Sequence, residues 1–169
     1  MAAKKFLRLV GGTMAEVLGL QSSAGAGNAG DIVALDDTGR LNANMLPVGI
    51  GADTALIVAS ENLANGDWVS VWDDAGTPKV RKADATSAGK AADGFVLASV
   101  TAAANATVYF EGTNTGVTGQ TAGAVYLQTT AGAGGSTVPS TAGNVVQRIG
   151  VAVSATAVNF ERGPAITLA

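Results

Sequence analysis

From about residue 54 onward the chain is a succession of short, Val-rich runs, each closed by Gly, Asn, Asp or Pro before a long helix could form. The runs 55–59, 67–72, 79–82, 95–100, 107–110, 124–129, 145–153 and 157–160 read as strands, with room for one helical turn at 86–92. Punctuation this frequent leaves little but β-structure, and many short strands point to a barrel or a sandwich. Composition narrows this further. Hydrophobic residues make up 47% of the chain, yet Gly and Ala together account for about one third of it, so the core must be built largely from small side chains. The expected fold is all-β, a small β-barrel or sandwich of short strands, with an extended N-terminal arm containing at most a short helix.

A weak internal repeat runs through these strands. Gly66-Asp67-Trp68-Val69-Ser70-Val71 resembles Gly123-Ala124-Val125-Tyr126-Leu127, and the run beginning Gly94-Phe95-Val96 parallels the one beginning Gly150-Val151-Ala152. Val108-Tyr109-Phe110-Glu111-Gly112 likewise parallels Val158-Asn159-Phe160-Glu161, with Gly163 following. Two copies of one strand unit suit a closed or nearly closed barrel, which removes open edges.

The first residues are of a different kind. Lys4, Lys5 and Arg8 precede the apolar residues Leu9, Val10, Met14, Val17, Leu18 and Leu20, and a flexible QSSAGAGNAG stretch follows. Thr13 and Glu16 have the spacing of a capping box, which predicts a short helix over 14–20. Residues 31–35 read as a strand, Asp36-Asp37-Thr38-Gly39 as a turn, and Pro47 as the end of that unit. We therefore divide the chain into an N-terminal arm and linker with a short β unit, 1–52, and a β-barrel domain, 53–169. Phe6, Leu7, Leu9, Val10, Met14, Val17, Leu18 and Leu20 are the candidate contact residues of the arm, because large apolar side chains are costly to leave in water.

Little in the chain is equipped for chemistry. There is no Cys and no His, which removes thiol nucleophiles, disulfides, zinc-thiolate sites, imidazole bases and Ser-His-Asp triads. A net charge of −3 gives no electrostatic case for nucleic acid. Apolar runs such as 95–100 are far shorter than the roughly 20 residues that span a bilayer, and the basic N-terminus has too interrupted an apolar run for a signal peptide. We expect no enzyme activity, cofactor, metal, nucleic acid or membrane. Asp37-Thr38-Gly39 matches the tripeptide of aspartic proteases, but that chemistry needs a second carboxylate, and Asp-Thr-Gly is good turn chemistry. Asp36/Asp37 and Asp73/Asp74 both fall in turns, without the alternating oxygen ligands of a calcium loop. Lys79 and Arg81 share one strand face and Lys82 points the other way.

Two further features bear on partners. Trp68 and Trp72 lie four apart on a strand, hence on one face, as core or interface anchors. Residues 112–147 contain no charged residue. Charge normally discourages association, so burial against neighbouring copies of the same chain is the economical reading of that stretch.

The segment Ile32-Val33-Ala34-Leu35-Asp36-Asp37-Thr38-Gly39-Arg40-Leu41, continuing through Asn44-Met45-Leu46-Pro47, resembles one that recurs in structural proteins of tailed bacteriophages. The Gly66-Asp67-Trp68-Val69 strand, the Ala92-Asp93-Gly94-Phe95-Val96 strand and the Val108-Tyr109-Phe110-Glu111-Gly112 strand are similar in pattern to phage capsid decoration (cement) proteins, as is the stretch from Tyr126-Leu127 through Pro139 to Ala152. The resemblance implies a small barrel on the outer capsid surface of the virion, made in the host bacterial cytoplasm. It implies a homo-oligomer, a trimer by that likeness, that clamps the major capsid protein. The alternative is a phage tail fibre or tail appendage subunit, which shares the Leu-Asp-x-x-Gly-x-Leu segment.

Overall fold

The structure, a computed structural model, describes residues 5–46 and 53–169; Lys4 and Pro47, both singled out from the sequence, lie outside the described residues. The chain divides into two compact units, 1–51 and 52–169. Nearly all regular structure is β, and the helical content among the described residues is three short 3-10 turns, at Ala26–Asn28, Ala43–Met45 and Ala88–Lys90.

In the first unit, β1 (Lys5–Val10) and β2 (Thr13–Leu18) form an antiparallel hairpin closed by Gly11 and Gly12. The helix predicted over 14–20 is therefore a strand. Both turn residues have positive φ, +58° and +88°, the requirement of the tight turn that matches strand twist and one Gly meets without penalty. The Glu16 side chain does not cap a helix. It accepts a hydrogen bond from Lys5 Nζ at 2.8 Å across the hairpin. The strand expected over 31–35 shrinks to a single parallel bridge between Leu20 and Val33, in which Leu20 N–H donates to Ile32 and Ala34 N–H donates to Leu20.

In the second unit, β3 (Thr54–Ala59), β4 (Trp68–Asp74), β5 (Thr77–Lys82), β6 (Gly94–Val96) and β7 (Asn105–Tyr109) close into a barrel of order β3-β5-β4-β6-β7. Its one parallel pairing, Val58 with Lys79 and Ala59 with Val80, is the seam that closes it. There follow β8 (Gly112–Asn114), β9 (Gly123–Leu127), β10 (Gly134–Gly135), β11 (Val145–Ser154), β12 (Ala157–Phe160) and β13 (Ala165–Thr167). They form a second sheet of order β10-β9-β11-β12-β8, with β13 paired to the first residues of β11.

The second sheet repeats the first strand for strand: β5-β4-β6-β7-β3 corresponds to β10-β9-β11-β12-β8. The registers agree as well. Val69 faces Gly94 as Val125 faces Gly150, and Val96 faces Val108 as Ala152 faces Val158. A Cβ on Gly94 would strike the carbonyl oxygen of Tyr109, and a Cβ on Gly150 would strike that of Asn159, the residue in the same place. What differs is closure. β10 is two residues long and makes no pairing with β8, so the second sheet stays open.

Alternation along the strands feeds two cores. Val69, Val80, Val96 and Val108 point into the barrel with Ala59, Leu63 and Ala106. Their neighbours Trp68, Phe95 and Tyr109 point outward and pack with Val125, Leu127, Ile149, Val158 and Phe160 of the second sheet. Trp68 meets Phe95 edge-on at 5.7 Å between ring centroids and lies 5.5 Å from Phe160, while Phe95 stacks on Tyr109 at 5.4 Å. Buried amides stitch the elements together. Gln147 accepts from Ala92 N–H at 2.8 Å and donates to Ala92 C=O at 2.9 Å, and Asn114 donates to Gly66 C=O at 2.9 Å.

Candidate interaction surfaces

The hairpin register sorts the apolar residues of the first unit into two faces, because residues directly opposite in a ladder project to the same side. One face carries Lys5, Leu7 and Leu9 opposite Leu18, Glu16 and Met14. The other carries Phe6, Arg8 and Val10 opposite Val17, Ala15 and Thr13. On that second face Phe6, Ala15 and Val17 are half-buried, and Arg8 reaches Asp31 at 3.2 Å, so the chain uses it for its own packing. The first face is open. Leu7 is 69% exposed, Leu9 64%, Met14 60% and Leu18 58%.

Beyond the hairpin, polar side chains bind the backbone of the first unit to itself. Asn44 accepts from Ser23 N–H and donates to the Ser22 hydroxyl and the Ser23 carbonyl. Asp36 Oδ1 accepts from Thr38 N–H at 2.8 Å, Thr38 Oγ1 at 2.6 Å and Arg40 N–H at 3.0 Å. The Thr38 hydroxyl, then the Arg40 N–H, hold the Asp36 carboxyl below its ordinary value. The Asp-Thr-Gly tripeptide thus sits in a turn organised by the preceding Asp36, with Asp37 exposed.

Every buried hydrophobic residue among those described, Ala59 through Val158, belongs to the second unit. Among the described residues of the first unit only Gly19 is buried. Of fourteen exposed large apolar residues among those described, ten lie in the first unit: the open-face four, Val10, Ile32, Val33, Leu35, Leu41 and Leu46. The eight arm residues singled out from the sequence therefore separate. Leu7, Leu9, Met14 and Leu18 form the open face, Val10 is exposed beside the turn, Phe6 and Val17 are half-buried, and Leu20 is half-buried in its bridge to Val33. Ile32 and Leu35, from the segment expected as a strand, and Leu41 beyond the turn join them as exposed apolar residues.

The tryptophans also separate, although both occupy the outward side of β4. Trp68 is fully buried under the second sheet. Trp72, beyond that cover, is half-buried, with Arg81 5.0 Å above its ring and its indole N–H directed at Ser60 Oγ, 3.4 Å away. Lys79 pairs with Asp74 and Lys82 with Asp67 at 3.4 Å. The uncharged 112–147 stretch supplies β8, β9, β10 and the connections after them, with Thr115, Thr118, Thr121, Thr130, Thr137 and Thr141 exposed.

An open cleft of about 520 Å³ is lined by Asp53, Val71, Asp93, Phe110 and Arg162. Of its two acids, Asp93 is paired with Arg162 at 2.6 Å and also accepts from Val71 N–H at 2.9 Å. Among the described residues no three of Asp, Glu, His or Cys gather where they could hold a metal ion. The one buried carboxylate among the described residues, Asp84, is structural. Burial pushes its carboxyl up, but bonds from the Thr86 hydroxyl, the Lys90 ammonium at 3.0 Å and the Thr86 N–H outweigh this and hold it below the usual range.

No family model matches the chain, and no curated protein or solved structure matches it. The class its own geometry defines is an all-β protein: a closed five-stranded barrel backed by an open copy of the same sheet, preceded by a unit whose large apolar side chains face outward.

Proposed function

We propose that this chain is a structural, non-enzymatic virion protein. In this reading it decorates the outer surface of a tailed-phage capsid as a homotrimer and cements neighbouring major capsid subunits. The observation that carries the reading is the segregation of apolar side chains: buried in the second unit, displayed in the first. A unit that buries no large side chain among its described residues gains its stability from what it attaches to, whereas the barrel unit has a core to fold around. The phage-like segment Ile32–Pro47 lies in the displaying unit. Mechanically, cementing needs only added contact area, and several linked arms on one oligomer raise attachment far above that of one arm. No cofactor or metal enters.

The test is cosedimentation of the purified full chain with expanded capsids that lack it, together with antibody labelling of virions in electron micrographs. Saturable binding and label over heads are expected. Label on tails would move the protein to a tail fibre or appendage. A pure monomer in native mass spectrometry that binds no capsid would overturn the proposal.

A further inference from the structure

In the second unit five of the six bases meet a carboxylate: Lys79, Lys82, Lys90, Arg148 and Arg162. Arg81 is the sixth, and it pairs with no acid among the described residues. Its guanidinium stands 5.0 Å from the centre of the Trp72 ring and gives one hydrogen bond, Nη2 to Gly89 C=O at 2.6 Å. Its Nε is buried and finds no partner among the described residues. A guanidinium carries five N–H donors and keeps its charge, so a half-buried one held on an aromatic ring is a strong anchor for an anion. The opposite imbalance occurs at one end of the same barrel, where β3 begins and β7 ends. Asp53 and Glu111 are exposed there, and Glu111 Oε1 accepts Asp53 N–H at 3.1 Å. Neither carboxylate meets a base among the described residues. Asp53 lines the open cleft with Val71 and Phe110, and the base of that cleft, Arg162, is already held by Asp93.

We infer that Arg81 on Trp72 of one copy receives the Asp53 and Glu111 carboxylates of the next copy. The inference rests on the homo-oligomeric reading above and gives that oligomer its contact, leaving the open hairpin face to the capsid. Charge complementarity carries it. One patch of the unit holds an uncompensated cation and another holds two uncompensated anions, so the chain is its own complement. The two patches differ in place: Arg81 and Trp72 lie on the outer wall of β4 and β5, the carboxylates at the barrel end. A contact between unlike patches runs head to tail, and such contacts close into rings, three copies included. Trp and Arg are also the residue types that anchor interfaces most strongly.

The experiment uses the full chain and reads its mass by native mass spectrometry and sedimentation over a concentration series. D53K/E111K alters only exposed side chains, so urea unfolding of the barrel should be unchanged. The midpoint concentration for dissociation should rise at least about thirtyfold, as it should for R81E. The triple variant R81E/D53K/E111K sets opposite charges against each other again and should return the midpoint to within about fivefold of wild type. A gentler cycle repeats the test without reversing any charge: R81Q and D53N/E111Q, once combined, should weaken the oligomer no more than either does alone. An oligomer indifferent to D53K/E111K, or losses that simply add in the gentler cycle, overturns the inference and leaves the oligomer to another surface. If R81E stays oligomeric but ceases to bind capsids, Arg81 meets the capsid: this inference fails and the proposed function stands. A wild-type chain that is monomeric throughout yet binds capsids overturns the inference and the trimer, and leaves the attachment.

Discussion

The two units of this protein use the same alternation of side chains and do opposite things with it. In β4, Trp68 and Val69 point to opposite sides of the strand and both are buried, one under the second sheet and one inside the barrel. In β1, Phe6 and Leu7 also point to opposite sides, and Phe6 is half-buried while Leu7 stands 69% exposed. Alternation decides which residues share a face. Whether a face is covered depends on what the rest of the chain, or another chain, lays over it.

The largest test of this contrast is a pair of truncations. Trp68→Ala empties the centre of the aromatic cluster and should cost about 3–5 kcal/mol of barrel stability in urea titrations. Leu9→Ala, in dilute solution where no partner is present, should change stability by no more than about 0.5 kcal/mol. A comparable cost for both would mean that the open face is covered in solution, and the contrast would collapse. Next in size is a test within the second unit. Gly94→Ala and Gly150→Ala each drive a Cβ into a carbonyl oxygen in the same place of the repeat, so each should cost about 1–3 kcal/mol by overpacking. Gly150, with φ at +147°, should be the more sensitive of the two. If only one substitution destabilises, the two sheets are alike in order but not in packing.

The smallest effect expected is a pH dependence read at Asp84 in the second unit. Asp84 has a folded pKa below its ordinary value, so the folded state favours the ionised form. Its contribution is fully present above the unfolded pKa, near 3.9, and is lost as pH falls through the lower folded value. Asp84→Asn should therefore lie below wild type at pH 6 in thermal melts, and the gap should narrow as the pH is taken below 4. A gap that stays constant to pH 2.5 would mean that Asp84 acts through packing rather than charge.

Much of this was legible in the residues. The Val-rich runs become strands within a few residues of their expected places, and the single helical turn expected between strands appears at Ala88–Lys90. The faint likeness of Gly66–Val71 to Gly123–Leu127 proved to be a repeat of strand order and register. The hairpin was misread because Thr13 and Glu16 have helix-capping spacing, while the stronger signal, Gly11-Gly12 with apolar residues on both sides, lay just before them. Short strands such as β8, β10 and β13 left no trace, since two or three residues are too few to carry a period. The candidate arm residues were visible as a group, but their separation into an open and a used face was not. That separation follows from the register, Val10 opposite Thr13, which the turn imposes.

By itself the sequence determined that the chain is β, that it is built in two unlike parts, and that the second part repeats. Strand propensity, turn residues and periodicity are local, and a local reading reaches them. Only the tertiary structure decided that one copy of the repeat closes while the other stays open, and that Trp68 is core while Trp72 is not. It also decided that the first unit turns Leu7, Leu9, Met14 and Leu18 outward. Each of these depends on residues far apart in the chain meeting or failing to meet, as Val58 meets Lys79 and β10 fails to meet β8. Such meetings are settled by packing the whole chain at once.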